Sequence, residues 1–110
     1  MPDMSEVPEI QATDVSAEAF LLDVREPMEW VAGHAVGAVH IPMNQIPGRL
    51  AELPDAEIVV VCKTGARSAA VAEFLLARGH SAVNLAGGTY AWQAAGRPMV
   101  AESGNEPFVL

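Results

Sequence analysis

The run Ile58-Val59-Val60-Val61 constrains the fold of this chain more than any other segment. All four side chains are apolar and β-branched, whereas a strand with one face in water alternates apolar and polar residues. An unbroken run of this kind is typical of a strand at the centre of a parallel sheet that helices cover on both faces. Parallel neighbours must be joined by crossover connections, so the run favours an α/β architecture.

The segments around this run have the patterns that such a sheet requires. Apolar stretches between turn residues predict an edge strand at 7–10 and further strands at 20–24, 37–42, 58–62 and 82–85. Helical spacing and terminating Gly or Pro residues predict helices at 27–32, 45–53, 68–78 and 90–95. Because strands alternate with helices, we expect a central, mostly parallel sheet of about five strands with helices on both faces.

The length of 110 residues fits a single domain that spans the whole chain, 1–110. We expect its core to lie at about residues 7–100. The segment 101–110 contains Ser103-Gly104-Asn105, a sequence typical of loosely held chain ends. We therefore predict a flexible tail there.

Charge and hydropathy exclude several classes of function. Fourteen acidic and six basic residues give a net charge of −8, the wrong sign for binding a nucleic-acid backbone. The apolar runs are much shorter than the roughly 18 residues of a membrane span, so no membrane association is expected. The first residues are acidic and polar where a secretory signal would be basic and then apolar. We expect a soluble, cytoplasmic protein.

Cys62 is the only cysteine, and it lies between the predicted central strand and the next helix. One cysteine forms no internal disulfide and no multi-cysteine zinc site. The three histidines lack metal-ligand spacing, so we expect neither a metal nor another cofactor. The thiol is therefore free, and it serves either packing or reactivity.

A thiol at a strand-to-helix turn is a candidate nucleophile. Backbone N–H groups of the turn, the positive end of the helix and the cations Lys63 and Arg67 would all stabilise a thiolate. Gly65 allows a positive φ in a tight loop. From this pattern alone, a buried packing role for Cys62 is an equally good interpretation, and each cation taken singly is better explained as solvent-exposed. The joint placement of Lys63 and Arg67 around the only thiol, before a helix, favours a functional role.

Four motifs in the same order resemble a single-domain rhodanese, a member of a sulfurtransferase family. The matching segments are Asp23-Val24-Arg25-Glu26 with Glu29-Trp30, residues 33–42, Cys62-Lys63-Thr64-Gly65-Ala66-Arg67-Ser68, and Leu85-Ala86-Gly87-Gly88 with Trp92 and Gly96. The resemblance covers nearly all of the chain. It implies a rhodanese-like fold with Cys62 as the catalytic residue.

The resemblance also implies a reaction. The Cys62 thiolate would take a sulfane sulfur from a donor such as thiosulfate, hold it as a persulfide, and pass it to a thiol or cyanide acceptor. The substrate-binding loop would be Lys63, Thr64, Gly65, Ala66, Arg67 and Ser68. Within it, Lys63 and Arg67 would contact an anionic donor. Structural support around the loop would come from Asp23, Arg25, Glu29 and His34.

Two other functions share features with this one. Cysteine-dependent phosphatases and arsenate reductases place one more residue between cysteine and arginine than the four found here, which disfavours that class. A sulfur-carrier or protein-binding module remains open, since an acidic domain attracts a basic partner more readily than a small dianion. The expected partner is thus either a small anionic sulfur donor or a persulfide-donating protein.

Overall fold

The computed structural model describes residues 7–110, in which strands alternate with helices. The strands are β1 (Glu9–Ile10), β2 (Phe20–Asp23), β3 (His34–Ala35), β4 (Val39–His40), β5 (Ile58–Val61), β6 (Ala82–Leu85) and β7 (Met99–Val100). The α-helices are α1 (Pro27–Ala32), α2 (Ala66–Ala77) and α3 (Gly88–Ala94), and short 3-10 helices span Ala12–Asp14, Met43–Gly48 and Leu50–Glu52.

The main sheet has five strands in the order β1-β6-β5-β2-β4, and every pairing is parallel. β5 lies at the centre, with Leu22 of β2 opposite Val60 and Asn84 of β6 on its other side. The predicted parallel α/β sheet is confirmed. A second, antiparallel sheet of β3 and β7 was not predicted, because two-residue strands are too short to show a pattern.

Both faces of β5 are buried, which explains why its sequence does not alternate. Ile58 and Val60 pack with Leu75 of α2 in one hydrophobic cluster. Val59 and Val61 pack with Trp92 of α3 in the other cluster. All four β5 side chains are at most 2% exposed. Burial on this scale contributes about 1.5–3 kcal/mol per large apolar side chain.

One predicted helix differs in the structure. Residues 45–53 were expected to form a single helix, but Met43–Gly48 and Leu50–Glu52 are separate 3-10 helices that meet at Arg49. Pro47 lacks the backbone N–H that a regular α-helix would use, and the N–H of Arg49 instead donates to the carbonyl of Ile46 at 3.0 Å. The prediction of one continuous helix at 45–53 is therefore wrong, because the backbone forms two 3-10 helices.

The tail lies along α1 in this structure. The N–H of Phe108 donates to the carbonyl of Ala32 at 3.1 Å, and Glu102 lies 2.7 Å from Nε2 of His34. Its flexibility stays a prediction. No helix in the described part of the chain has the length and apolar character needed to cross a membrane.

The start of α3 positions the backbone that follows β5. The N–H of Thr89 donates to the carbonyl of Cys62 at 2.8 Å, and its hydroxyl donates to the same oxygen at 3.0 Å. The N–H of Tyr90 donates to the carbonyl of Lys63 at 3.3 Å. Gly88 makes this approach possible because its backbone has a φ of +61° and no side chain separates it from residues 62 and 63.

A bidentate ion pair joins α1 to α2. Arg67 Nη1 and Nη2 donate to the two carboxylate oxygens of Glu29 at 2.8 and 2.9 Å. Glu29 also accepts the backbone N–H of Glu26 at 2.9 Å. The hydrogen bonds from Arg67 outweigh the opposing effect of burial and lower the pKa of Glu29 from 4.5 to about 2.

Gly88→Ala is expected to lower the free energy of unfolding by about 2–4 kcal/mol, through steric overlap and a strained positive φ. An added Cβ would overlap the carbonyl oxygen of Cys62 and lie 2.5 Å from that of Lys63. Gly48→Ala is the matched control, because a Cβ there meets nothing within 4 Å and φ is not positive. Urea unfolding followed by tryptophan fluorescence measures both; equal stability of the two variants would contradict this account.

Glu29→Gln is expected to lower the free energy of unfolding at pH 7 by about 1–2 kcal/mol, allowing for the part of Arg67 that is exposed. Because the folded pKa lies below the ordinary 4.5, the stabilisation is complete above that pH and disappears as pH falls toward about 2. The two unfolding curves should therefore converge over that range. Glu52→Gln, which breaks an exposed pair with Arg49, should have a much smaller effect; a constant gap at all pH values would refute the assignment.

Candidate active site

Cys62 lies at the carboxyl end of the central strand, where parallel α/β sheets bind their ligands. The residue is 1% exposed, and it is the only cysteine of the chain. Gly65, with φ of +118°, turns the backbone into α2, which begins at Ala66. The predicted strand, thiol, loop and helix are therefore consecutive, as expected from the sequence.

The sulfur faces hydrogen-bond donors. The N–H of Gly65 donates to Cys62 Sγ at 3.1 Å, and Ser68 Oγ lies 3.2 Å from the same atom. Burial raises the pKa of the thiol. The Ser68 hydroxyl, when its hydrogen points at sulfur, and the backbone N–H groups of Ser68, Gly65 and Thr64 outweigh burial and lower the pKa. The backbone N–H groups of the loop favour an anion at sulfur.

The two cations of the loop have different surroundings. Arg67 shares its guanidinium with Glu29, which raises the pKa of Arg67 and offsets much of its charge. Lys63 Nζ lies 5.5 Å from the centroid of the Tyr90 ring, a cation–π distance. Lys63 is therefore the loop cation whose charge a carboxylate does not offset in the described structure. A direct contact between Arg67 and a donor stays a prediction.

The predicted support residues divide into two groups. Arg25 is fully buried, donates to both carboxylate oxygens of Asp23 at 2.8–3.1 Å, and donates to the carbonyl of Gly33 at 2.8 Å. His34 contacts the carbonyl of Ala35 at 3.0 Å and stacks on the Trp30 ring. Glu29 belongs with the loop instead, because its partner is Arg67.

Sequence reasoning missed two polar residues next to the thiol loop. Asn84 is 2% exposed, lies near Ser68 Oγ and donates through Nδ2 to Glu9 and to the carbonyl of Gly65. The signal in the sequence was an amide within the otherwise apolar strand Ala82-Val83-Asn84-Leu85. Glu9 had no recognisable signal, because its contact depends on the pairing of β1 with β6.

Within residues 7–110 no group of three or more His, Cys, Asp or Glu side chains is arranged to hold a metal ion. A cavity of about 480 Å³ is lined by Asp14, Glu18, Phe20, Glu57 and Val59 among others, near the amino ends of β2 and β5. That is the opposite edge of the sheet from Cys62. The thiol loop is therefore a backbone cradle that stands apart from this cavity.

Comparisons with known proteins agree with this geometry. The family model for the rhodanese-like domain matches residues 5–95. A sulfurtransferase of Allochromatium vinosum is 39% identical over 89 residues, which cover 79% of this chain and 83% of that protein. A probable adenylyltransferase/sulfurtransferase of Mycobacterium tuberculosis is 43% identical over 83 residues, but these cover 21% of its length and 72% of this chain.

A solved structure of a related protein has a similar fold. The crystal structure of a rhodanese-related protein from Thermoplasma volcanium is similar with a TM-score of 0.79 and 34% sequence identity. The match covers 84% of this chain and 97% of that one. From the family model, the relatives and the parallel sheet that presents Cys62, we conclude that this chain belongs to the rhodanese-like family of sulfurtransferases.

Proposed function

We propose that this protein transfers sulfane sulfur through a persulfide on Cys62. The observation that carries the proposal is the position of Sγ at the end of β5, facing the N–H of Gly65 inside the loop that closes on α2. A thiolate there is stabilised by fixed backbone dipoles, which need no reorganisation during the reaction. Membership of the sulfurtransferase family supports the same chemistry.

The reaction has two steps. The Cys62 thiolate attacks the outer sulfur of a donor such as thiosulfate, the Sγ–S bond forms, and the donor S–S bond breaks with its electron pair leaving on sulfite. The outer sulfur of the persulfide now carries the negative charge. A thiolate or cyanide then attacks that sulfur, the Sγ–S bond breaks, and the thiolate of Cys62 is restored.

The cations of the loop supply the contact with an anionic donor. Lys63 is the first candidate, because its charge is held against the Tyr90 ring rather than against a carboxylate. Arg67 contributes less net charge while Glu29 holds both of its Nη atoms. The loop also has four residues between Cys62 and Arg67, one fewer than cysteine-dependent phosphatases use, so phosphate transfer is disfavoured.

A second candidate function is that of a sulfur carrier which receives sulfur from a partner protein. The Mycobacterium tuberculosis relative contains the matching region as about a fifth of a longer adenylyltransferase/sulfurtransferase. A net charge of −8 and the pairing of Arg67 with Glu29 both make a small dianion a poorly attracted donor. In this alternative the same Cys62 persulfide forms, but its source is a protein-bound persulfide.

Incubation with thiosulfate is expected to add the mass of one sulfur atom to the wild-type protein, and cyanide should remove it. Intact-mass spectrometry measures this, with Cys62→Ser as the control. An unmodified wild type with every donor, or an equally modified Cys62→Ser variant, would refute the persulfide. Loading from a persulfidated cysteine desulfurase, without loading from thiosulfate, would favour the carrier function.

Lys63→Gln is expected to raise KM for thiosulfate about 3- to 10-fold with little change in kcat, because a cation in contact with the donor and still exposed to water contributes on the order of 1 kcal/mol. Steady-state kinetics measure both parameters. Arg78→Gln is the matched control, since Arg78 caps the far end of α2 and covers the Phe74 ring. The assignment of Lys63 fails if both variants have the wild-type KM.

A further inference from the structure

A chain of polar contacts connects the protein surface to the reactive sulfur. The exposed Glu9 carboxylate accepts a hydrogen bond from Asn84 Nδ2 at 3.0 Å. The amide oxygen Oδ1 of Asn84 lies 2.5 Å from Ser68 Oγ. Ser68 Oγ in turn lies 3.2 Å from Cys62 Sγ. Ser68 is fully buried and Asn84 is nearly so. Because buried polar groups need hydrogen-bond partners, each N–H and O–H hydrogen of these two side chains must point at an acceptor.

The orientation of the Asn84 amide is fixed by its neighbours. Its Nδ2 group faces the Glu9 carboxylate and, at 3.1 Å, the carbonyl oxygen of Gly65. Both neighbours are acceptors, so the two N–H bonds of the amide are used there. A flipped amide would place Oδ1 against two oxygens and leave those acceptors without a donor. Oδ1 therefore points at Ser68.

Ser68 has one hydroxyl hydrogen and three neighbouring acceptors. Oγ lies 2.5 Å from Asn84 Oδ1, 3.2 Å from Cys62 Sγ and 3.3 Å from the carbonyl oxygen of Gly65. The amide oxygen offers only lone pairs to Ser68, so the shortest of these contacts is favourable only when the hydroxyl hydrogen lies between Oγ and Oδ1. In that arrangement a lone pair of Oγ, and not the hydrogen, faces the sulfur.

We propose that Asn84, held in one orientation by Glu9 and Gly65, is a positioning residue that keeps the Ser68 hydrogen directed away from Cys62. The functional consequence of this proposal rests on the sulfur transfer proposed above. The neutral thiol fits the arrangement because S–H donates to Ser68 Oγ. The thiolate then depends on backbone donors such as the N–H of Gly65 and faces a lone pair at Ser68.

This arrangement matters for nucleophilic attack. A thiolate that is less stabilised by hydrogen bonds is a stronger nucleophile, since nucleophilicity rises with thiol pKa. Once sulfur is transferred, Sγ becomes a neutral bridging atom and no longer needs the Ser68 hydrogen. Asn84 thus raises the energy of the thiolate without a matching effect on the bridging sulfur of the persulfide. This favours sulfur transfer from the thiolate, while it lowers the fraction of Cys62 that is present as thiolate.

The test is the direction in which Ser68→Ala shifts the Cys62 pKa, measured in the wild type and in the Asn84→Ala variant. In the wild type, Ser68→Ala should leave the Cys62 pKa unchanged or lower it, because Ser68 accepts from the thiol. In the Asn84→Ala variant the freed hydroxyl can donate to the thiolate. There, Ser68→Ala should raise the pKa by about half a unit to one unit. A rise in the wild-type background, or no rise in the Asn84→Ala background, would overturn the proposal.

Thiolate absorbance as a function of pH measures this directly, because Cys62 is the only thiol and Cys62→Ser gives the background. The other charged groups around the loop are Lys63, Arg67, Glu29 and Glu9. None of them is substituted in any variant, and only Glu9 loses a contact, in both members of the Asn84→Ala pair. In the Asn84→Ala background, Ser68→Thr keeps a hydroxyl and should avoid the rise in pKa that Ser68→Ala causes. An equal rise with Ser68→Thr would point to a steric origin and overturn the proposal.

Two further features keep the experiment decisive. If Asn84→Ala does not fold, Ser68→Ala alone still decides the matter, since a raised pKa in that variant contradicts the proposal and an unchanged or lowered one supports it. No sulfur donor is present in the titration. A failed persulfide assay would therefore refute the proposed function and leave this result unaffected, and the reverse also holds.

Discussion

The burial of β5 on both faces is the constraint on which the rest of the site depends. Its four β-branched side chains are held between α2 and α3, so the carboxyl end of the strand has little freedom to move. Cys62 is the next residue along the chain. The reactive atom is thereby attached to a strand that is buried on both faces, and the loop that follows needs to order only three residues before α2 begins.

The thiol loop is then fixed from three directions. α3 docks on the carbonyls of Cys62 and Lys63, the Glu29–Arg67 ion pair ties the start of α2 to α1, and Asn84 holds the carbonyl of Gly65. These contacts engage the carbonyl oxygens of residues 62, 63 and 65 and hold the start of α2 in place. The electrostatic character of the site therefore comes from backbone dipoles more than from side-chain charge.

Charge around the site is balanced more closely than the sequence suggested. Lys63 and Arg67 looked like two free cations on an acidic protein, but Glu29 takes both Nη atoms of Arg67. The pairing lowers the pKa of Glu29 to about 2, so the carboxylate stays charged at every physiological pH. Among residues 7–110, a donor that approaches the loop meets the Lys63 ammonium group, which has no carboxylate partner there, and the neutralised Arg67–Glu29 pair. This is a weaker field for a dianion than two free cations would provide.

The main parallel sheet and the position of the thiol follow from local sequence patterns. An apolar run without alternation requires two covered faces, and alternating strands and helices require a parallel sheet, so the end of β5 and Cys62 could be located from local pattern alone. The side chains that meet at the thiol are brought together by long-range packing. Glu29 reaches Arg67 across 38 positions and Glu9 reaches Asn84 across 75. Contacts at such separations depend on strand order, register and helix docking, which local spacing does not encode.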